Sequence, residues 1–192
     1  MKPLTPNTPH VIIMVGIPGS GKTTFAKRFT KTFDAPYINT HDISDLAGID
    51  GPASSKVAMM MFNELLKTNR TLIFEGAAST RSQRMALASI ITKSGYKALM
   101  VWVQTDPTES KQRATKKQKG ALVMSSEEFD VAYDQFQNPL ISEKPVVISG
   151  KHTYATQLKA VLKRLATTTR AVVVPPASDQ PRTVSGRNIT VR

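Results

Sequence analysis

The sequence predicts an α/β fold in which a five-stranded parallel sheet is flanked by helices. Short apolar runs alternate along the chain with longer segments whose apolar residues recur at helical spacing. This alternation of strand and helix is the pattern of a doubly wound parallel sheet. The length of 192 residues and a hydrophobic content of 40% suit one domain with its own core. We expect that domain to span residues 11–166, between a polar N-terminal extension, residues 1–10, and a Pro-rich basic C-terminal extension, residues 167–192.

The predicted strands are short runs that turn or loop residues separate from their neighbours. They occupy residues 11–15, 36–39, 71–75, 97–104 and 145–149. Apolar runs of this kind suit parallel strands that are buried on both faces. Right-handed crossovers bring the carboxyl ends of parallel strands to one edge of a sheet, so the residues that follow each strand are expected to gather there. We expect the third strand to lie next to the first.

The predicted helices are segments with apolar residues on one face. They occupy residues 24–33, 55–67, 81–94, 107–119, 125–137 and 153–165. Phe25, Phe29 and Phe33 share one face of the first helix. Met59, Met60 and Met61 are predicted to fill the core from the second helix.

Local signals mark several boundaries of these elements. Ser125 and Glu128 have the spacing of a capping box, which predicts a helix start. Gly95 is predicted to end the third helix. Residues 48–54 contain a Gly-Pro pair and are predicted to form a loop. Trp102, within the fourth strand, is predicted to be a core residue.

Residues 16–23 read Gly-Ile-Pro-Gly-Ser-Gly-Lys-Thr and match G-x-x-x-x-G-K-[ST], the phosphate-binding P-loop. In this motif a bent backbone turns successive N–H groups toward one anion, and the following helix adds its positive dipole end. Lys22 is predicted to reach the β- and γ-phosphates, and Thr23 to bind Mg²⁺. The motif therefore predicts a nucleotide site formed by Gly16, Pro18, Gly19, Ser20, Gly21, Lys22, Thr23 and Thr24.

Two carboxylates follow predicted strands at the same edge. Asp42 follows the second strand and is predicted to take the proton of an acceptor hydroxyl or to hold a metal-bound water; the alternative is that it caps the next helix. Glu75 ends the third strand and is predicted to join Thr23 at the metal site through a water of the Mg²⁺ shell. The alternative for Glu75 is a surface acid. His41 fits a polar loop residue better than a proton relay.

Cations follow the third and fourth strands. Arg113 and Lys117 are four residues apart and share a helix face. Their segment is predicted to act as a lid that brings positive charge over the phosphates and excludes water; the alternative is a solvated basic helix. Arg84 lies in the first turns of its helix, where it is predicted either to contact the substrate or to be solvated.

These motifs resemble the small P-loop kinases, namely the kinase part of polynucleotide kinases, the predicted kinases of the AAA_33 group and, more distantly, zeta toxins. The resemblance runs from about residue 11 to residue 165. It implies a P-loop NTPase fold similar to adenylate kinase with a short cationic lid, an ATP-dependent kinase activity, and an aspartate base after the second strand. Its strongest parts are residues 16–23, Ile38-Asn39-Thr40-His41-Asp42, Phe74-Glu75-Gly76, and Thr108-Glu109 through Arg113 to Lys117.

The chain departs from the polynucleotide kinase pattern at three places. That pattern is Ile-Asn-Arg-Asp-Asp, and its catalytic aspartate falls where this chain has His41, so Asp42 serves one position later. Lys117 stands where the family has a lid arginine, and lysine does not make the bidentate phosphate contact. Glu75-Gly76 is closer to zeta toxins than to the Asp-Thr-Asn of polynucleotide kinases. The resemblance therefore does not carry the acceptor substrate over to this chain.

Composition limits the partners and the compartment. A net charge of +12 favours anionic partners such as nucleotides and nucleic acid. No stretch reaches the ~18 apolar residues of a membrane helix. Residues 1–10 lack the apolar core of a signal peptide, and the absence of cysteine is typical of a cytoplasmic protein.

The sequence therefore predicts a Mg·ATP-dependent kinase that transfers the γ-phosphate to a hydroxyl of a small molecule or a nucleic-acid 5′ end. No Asn-Lys-x-Asp guanine signature occurs in the chain, which favours ATP. An alternative is a nucleotide-binding module without robust kinase activity, whose basic tail binds nucleic acid or a protein partner. A toxin-like kinase that acts on nucleotide sugars is a further alternative within the enzyme class.

Overall fold

A five-stranded parallel sheet lies at the centre of the computed structural model, which describes residues 8–116 and 124–169. The strands are β1 (His10–Val15), β2 (Tyr37–Asn39), β3 (Leu72–Glu75), β4 (Lys97–Gln104) and β5 (Val146–Ser149). Their order across the sheet is β2-β3-β1-β4-β5, and every pair is parallel. The predicted α/β class, the five strands and the position of the third strand beside the first are confirmed.

Helices connect the strands and cover both faces of the sheet. They are α1 (Lys22–Phe33), α2 (Thr40–Ala47), α3 (Gly51–Leu66), α4 (Arg81–Lys93), α5 (Pro107–Thr115), α6 (Ser126–Asp134) and α7 (Tyr154–Thr169), with a 3-10 turn at Ile141–Glu143. The capping box of Ser125 and Glu128 is present at the start of α6, as predicted. No helix among the described residues has the length and apolarity needed to cross a bilayer.

Side-chain caps explain two differences from the predicted elements. Helix α2 was not predicted: the side chain of Asn39 accepts a hydrogen bond from the His41 backbone N–H at 3.0 Å, so the helix begins directly after β2. Helix α3 begins four residues before the predicted start, because the Asp50 side chain accepts from the Ala53 N–H at 2.8 Å. Residues 51–54, predicted as loop, therefore form the first turn of α3, where proline is tolerated.

The core forms two layers, one on each face of the sheet. Helices α1 and α7 cover one face, where Phe25 and Phe29 are fully buried and Phe33 packs against the layer. The rings of Phe29 and Phe33 lie 4.6 Å apart between centroids. The predicted aromatic face of the first helix is confirmed, and each buried ring contributes about 1.5–3 kcal/mol relative to exposure.

The opposite face is covered by α3 and α4, and here the core prediction was right for Met59, which packs against the core, and wrong for Met60 and Met61. Ala58, Phe62 and Leu66 are the buried apolar residues of α3, whereas Met60 is 70% exposed and Met61 is 46% exposed. Apolar residues occupy almost the whole circumference of this helix, so periodicity alone does not select the buried face. The small Ala58 allows α3 to approach the sheet closely, and its face is the one that packs.

An internal ion pair fastens the chain between α6 and β5 to the start of α4. The Arg84 side chain is fully buried and donates from Nε and Nη2 to the two carboxylate oxygens of Glu143, at 2.8 and 3.1 Å. Its Nη1 donates to the backbone carbonyls of Ala78, Ser79 and Gln137 at 3.3, 3.2 and 2.8 Å. The hydrogen bonds from Arg84 hold the pKa of Glu143 below its ordinary value.

We expect Glu143→Gln to lower the free energy of unfolding by about 3 kcal/mol at neutral pH, because it leaves the buried Arg84 charge uncompensated. The contribution of the pair is complete above the ordinary carboxyl pKa of about 4.3 and is lost as pH falls through the lowered pKa of the folded protein. The difference in the free energy of unfolding between wild type and variant should therefore become smaller at acidic pH. Urea denaturation at neutral and acidic pH measures it.

Glu127→Gln is the matched control, since Glu127 is an exposed acid in the first turn of α6. Its effect on the free energy of unfolding should stay within about 0.5 kcal/mol. Equal stability of wild type and Glu143→Gln at neutral pH would contradict the role assigned to this ion pair.

Candidate functional site

The predicted phosphate loop connects β1 to α1 at the carboxyl edge of the sheet. Among the described residues, α1 begins with neither a side-chain cap nor an acid in its first turn, whereas side chains cap α2 to α6. The first N–H groups and the positive dipole end of α1 are therefore left for an anion. Gly21 precedes the helix with φ 104°, a left-handed conformation that favours glycine.

The loop packs closely against α5. Gly19 has φ 73°, and a side chain at this position would overlap the backbone carbonyl of Ser110 in α5. From the other side, the Thr105 hydroxyl donates to the carbonyl of Ser20 at 2.9 Å. These contacts fix the loop backbone before any ligand binds and explain why glycine is needed at position 19.

Lys22, the first residue of α1, lies against this loop. Its Nζ donates to the backbone carbonyls of Gly16 and Ile17, each at 2.9 Å. Burial lowers the pKa of Lys22, and the negative charge of Glu75 partly offsets that effect. The amino group is thus held at the start of the loop, on the side where Ile17 lies.

A chain of hydrogen bonds connects Thr23 and Glu75, the two residues predicted to form the metal site. Thr23 Oγ1 donates to Glu75 Oε1 at 2.8 Å, and Tyr37 donates its hydroxyl to Glu75 Oε2 at 2.6 Å. Asn39 Nδ2 in turn donates to the Tyr37 oxygen at 3.0 Å. Burial, and then the charge of Glu75, raise the pKa of Tyr37, so its hydroxyl remains a donor at physiological pH. Glu75 itself is only 4% exposed, so the surface-acid alternative is wrong.

Tyr37 is a residue that the sequence reasoning missed. Asn39 pairs with Glu75 in the register of β2 and β3, and side chains two residues apart on a strand share one face. The spacing of Tyr37 and Asn39 on a strand beside Glu75 could therefore have identified Tyr37 as a partner of Glu75. That inference required the strand order to be known.

The oxygen ligands at this position suit Mg²⁺. The Thr23 hydroxyl and the Glu75 carboxylate are hard donors within hydrogen-bond distance of each other beside the phosphate loop. Across the described residues, no group of three or more His, Cys, Asp or Glu side chains is placed to hold a metal. A set this small fits an ion that takes most of its ligands from phosphates and water, as Mg²⁺ does.

Asp42 lies in the first turn of α2, at the β2 side of the phosphate loop. Its Oδ2 lies 3.3 Å from Nζ of Lys27 on α1, and its side chain is 41% exposed. The helix cap is Asn39, so the alternative that Asp42 serves as the cap is wrong. His41 is exposed and lies on the helix, not in a loop.

Arg113 lies near the end of α5, on the β4 side of the phosphate loop. It pairs with Glu109 one turn earlier, and its Nη1 lies 3.4 Å from the Gly150 carbonyl. Glu109 also pairs with Lys151 at 2.6 Å, and these cations lower the pKa of Glu109. Helix α5 ends at Thr115, earlier than predicted, and Lys117 with the rest of the predicted lid lies outside the described residues.

Arg84 is not placed as we predicted. Its side chain is fully buried and bound to Glu143 and three backbone carbonyls, so it is neither solvated nor available to a substrate. The sequence carried no signal for this pair, because Glu143 lies 59 residues further along the chain.

A cavity of about 470 Å³ opens beside the phosphate loop at the ends of β4 and β5. Trp102, predicted as a core residue, packs against the core as a half-buried side chain and also lines this cavity. Aliphatic, aromatic, amide and carboxylate side chains form the walls, among them Ile17, Trp102, Gln104, Asp106, Phe136 and Asn138.

Similar solved structures have the same fold. They include a gluconokinase from Sinorhizobium meliloti 1021, with 16% identity over 84% of this chain and 93% of that chain at a TM-score of 0.61. A sugar kinase from Janibacter sp. HTCC2649 has 16% identity over 85% of this chain and 99% of that one, at a TM-score of 0.61. The Pnkp1/Rnl/Hen1 RNA repair complex has 21% identity over 67% of this chain but only 44% of that one, at a TM-score of 0.57.

Sequence comparison identifies the family. No curated protein sequence matches the chain significantly. A model of the AAA_33 family, described as an AAA domain, matches residues 11–139, which is more than half of the chain. The matched region contains the phosphate loop, Asp42, Glu75 and the cations of α5. The chain therefore belongs to the AAA_33 family.

Proposed function

We propose that the protein is a Mg·ATP-dependent kinase that transfers the γ-phosphate to a hydroxyl of a small molecule or a nucleic-acid 5′ end. The observation that carries the proposal is the 2.8 Å hydrogen bond between Thr23 and Glu75, which joins a metal-binding hydroxyl to a buried acid beside the phosphate loop. The fold likeness to a gluconokinase and a sugar kinase supports it.

In this mechanism the phosphate loop and Lys22 hold the donor. The loop amides and the start of α1 bind the phosphates, and Lys22, whose Nζ lies at the carbonyls of Gly16 and Ile17, binds the β- and γ-phosphates. Thr23 would hold Mg²⁺ directly and Glu75 would hold it through a water of its shell, with the Tyr37 hydroxyl fixing the carboxylate. When bound, Mg²⁺ neutralises negative charge on the β- and γ-phosphate oxygens.

Asp42 orients the acceptor and takes its proton. As the acceptor oxygen bonds to the γ-phosphorus, the bond from that phosphorus to the β–γ bridging oxygen breaks and ADP leaves. The proton of the acceptor hydroxyl passes to the Asp42 carboxylate. Arg113 and Lys117 supply positive charge to the transferring group and help to exclude water.

Lys22→Ala should lower phosphoryl transfer at least about a hundredfold, because the charge on the transferring phosphates loses its cation. Transfer of labelled γ-phosphate to 5′-hydroxyl DNA and RNA, nucleosides, sugars and nucleotide sugars measures it, with circular dichroism as the check on folding. Lys31→Ala, an exposed lysine near the end of α1, is the matched control. Near-normal transfer by Lys22→Ala would refute the assignment, and nucleotide binding without transfer by wild type would favour the binding module.

Asp42→Asn should reduce kcat by about 10²–10⁴-fold while leaving nucleotide affinity within about twofold, since a general base acts on the acceptor. Steady-state kinetics and a nucleotide titration separate the two effects. Asp45→Asn, an exposed carboxylate one turn further along α2, should keep full activity. An unchanged kcat in Asp42→Asn would remove this residue from the mechanism.

Tyr37→Phe should raise the Mg²⁺ concentration needed for half-maximal activity by about tenfold, because Glu75 loses the hydroxyl that orients it. Nucleotide affinity measured without Mg²⁺ should not change and serves as the internal control. A Mg²⁺ requirement equal to that of wild type would show that Tyr37 does not support the metal site.

A further inference from the structure

The cavity beside the phosphate loop has no part in the mechanism above. Its volume of about 470 Å³ is that of a small-molecule pocket. Two of its lining residues belong to or bind the loop: Ile17 is its second residue, and Thr105 donates to the carbonyl of Ser20 at 2.9 Å. A molecule in this cavity is therefore in contact with the loop that holds the phosphates.

The cavity meets the phosphate loop at Ile17, the second residue of the loop. Lys22, which reaches toward the β- and γ-phosphates in this motif, bonds through Nζ to the Ile17 carbonyl at 2.9 Å. The base of the donor nucleotide lies at the other end of its triphosphate. A hydroxyl that projects from the cavity past Ile17 is thus directed to the γ-phosphate, as an acceptor must be.

The chemistry of the walls selects a class of ligand. Trp102, Tyr133 and Phe136 offer aromatic surface, and Gln104 and Asn138 offer amide donors and acceptors. Aromatic faces with neutral hydrogen-bonding groups around them suit a ring that has a flat apolar face and a polar edge.

Charges on the wall disfavour an anionic ligand. The Asp106 carboxylate lines the cavity and repels a negatively charged group. Lys151 also lines it, but its Nζ lies 2.6 Å from Glu109 Oε2, and this hydrogen bond raises the pKa of Lys151. Glu109, which also pairs with Arg113, and Asp106 together offset the charges of these two cations, so the wall favours a neutral ligand.

The backbone that carries Phe136 and Asn138 is held in place before a ligand enters. Phe136 and Asn138 flank Gln137, whose carbonyl accepts from the buried Arg84 at 2.8 Å and whose N–H donates to the Ser79 carbonyl at 2.9 Å. A wall fixed in this way loses little conformational entropy on binding.

We propose that this cavity is the acceptor pocket and that it takes a neutral ring compound, a nucleoside or a pyranoside. The ring lies against Trp102 and Phe136, its edge bonds to Gln104 and Asn138, and one hydroxyl projects past Ile17. The proposal rests on the proposed kinase function, and it names the substrate class of that site.

Trp102 is the single tryptophan of the chain, so its fluorescence reports occupation of the cavity without a label. The full chain is titrated with adenosine and with methyl β-D-glucopyranoside, at saturating Mg²⁺ and a non-hydrolysable ATP analogue. Calorimetry runs in parallel. We expect one of the two rings to change the fluorescence and to release or absorb heat with the analogue bound. The compound that does so shows whether the pocket takes nucleosides or pyranosides.

Asn138→Ala should weaken binding of that ring by about tenfold, because one wall amide loses its hydrogen bond. Asn63→Ala, an exposed amide on α3, is the matched control and should bind the ring like wild type. Affinity for the ATP analogue should be the same in all three proteins.

Three results would overturn the pocket assignment: neither ring produces fluorescence change or heat, the ATP analogue displaces the ring, or Asn138→Ala binds the ring like wild type. Displacement would make the cavity the base pocket of the donor. The kinase function fails separately: a ring that binds but receives no labelled phosphate would overturn the function and leave the cavity a ring-binding site.

Discussion

The hydrogen bond from Thr23 to Glu75 is the interaction on which the site depends, because it fastens the start of α1 to the end of β3. It requires β3 to be the neighbour of β1, with Met14 of β1 in register with Glu75. A carboxylate that is only 4% exposed needs donors, and the hydroxyls of Thr23 and Tyr37 provide them. The hydrogen bonds that offset the free-energy cost of burying the Glu75 carboxylate also bring together the oxygen atoms that a divalent cation needs.

The phosphate loop depends on its neighbours as much as on its own sequence. Gly19 lies against the backbone of α5, and the Thr105 hydroxyl holds the carbonyl of Ser20, so the loop is fixed between α1 and α5. On the same side, Glu109 compensates the charges of Arg113 and Lys151.

The strands and the phosphate loop were predictable from sequence because their signals are local: apolar runs, helical spacing and a motif of eight adjacent residues. Helix α2 was missed because its cap, Asn39, is also the last residue of β2. Met60 and Met61 of α3 were wrongly assigned to the core because apolar residues surround the helix. The face that packs carries the small Ala58, which allows the helix to approach the sheet closely. Arg84 was misplaced because its partner, Glu143, comes from a distant segment that only the tertiary fold brings near.

The two halves of the site are built by different means. The part of the site at the phosphate loop consists mainly of backbone groups of the loop and of the start of α1, and its conformation tolerates little change in sequence. One part of the cavity wall, Phe136 and Asn138, lies on the chain between α6 and β5, which the Arg84–Glu143 pair fastens to α4. Because this wall is tied to the fold through Arg84 and not through the phosphate loop, Phe136 and Asn138 can change without altering the bound phosphates. Under the proposed function, acceptor choice is therefore carried by a segment that nucleotide binding does not constrain.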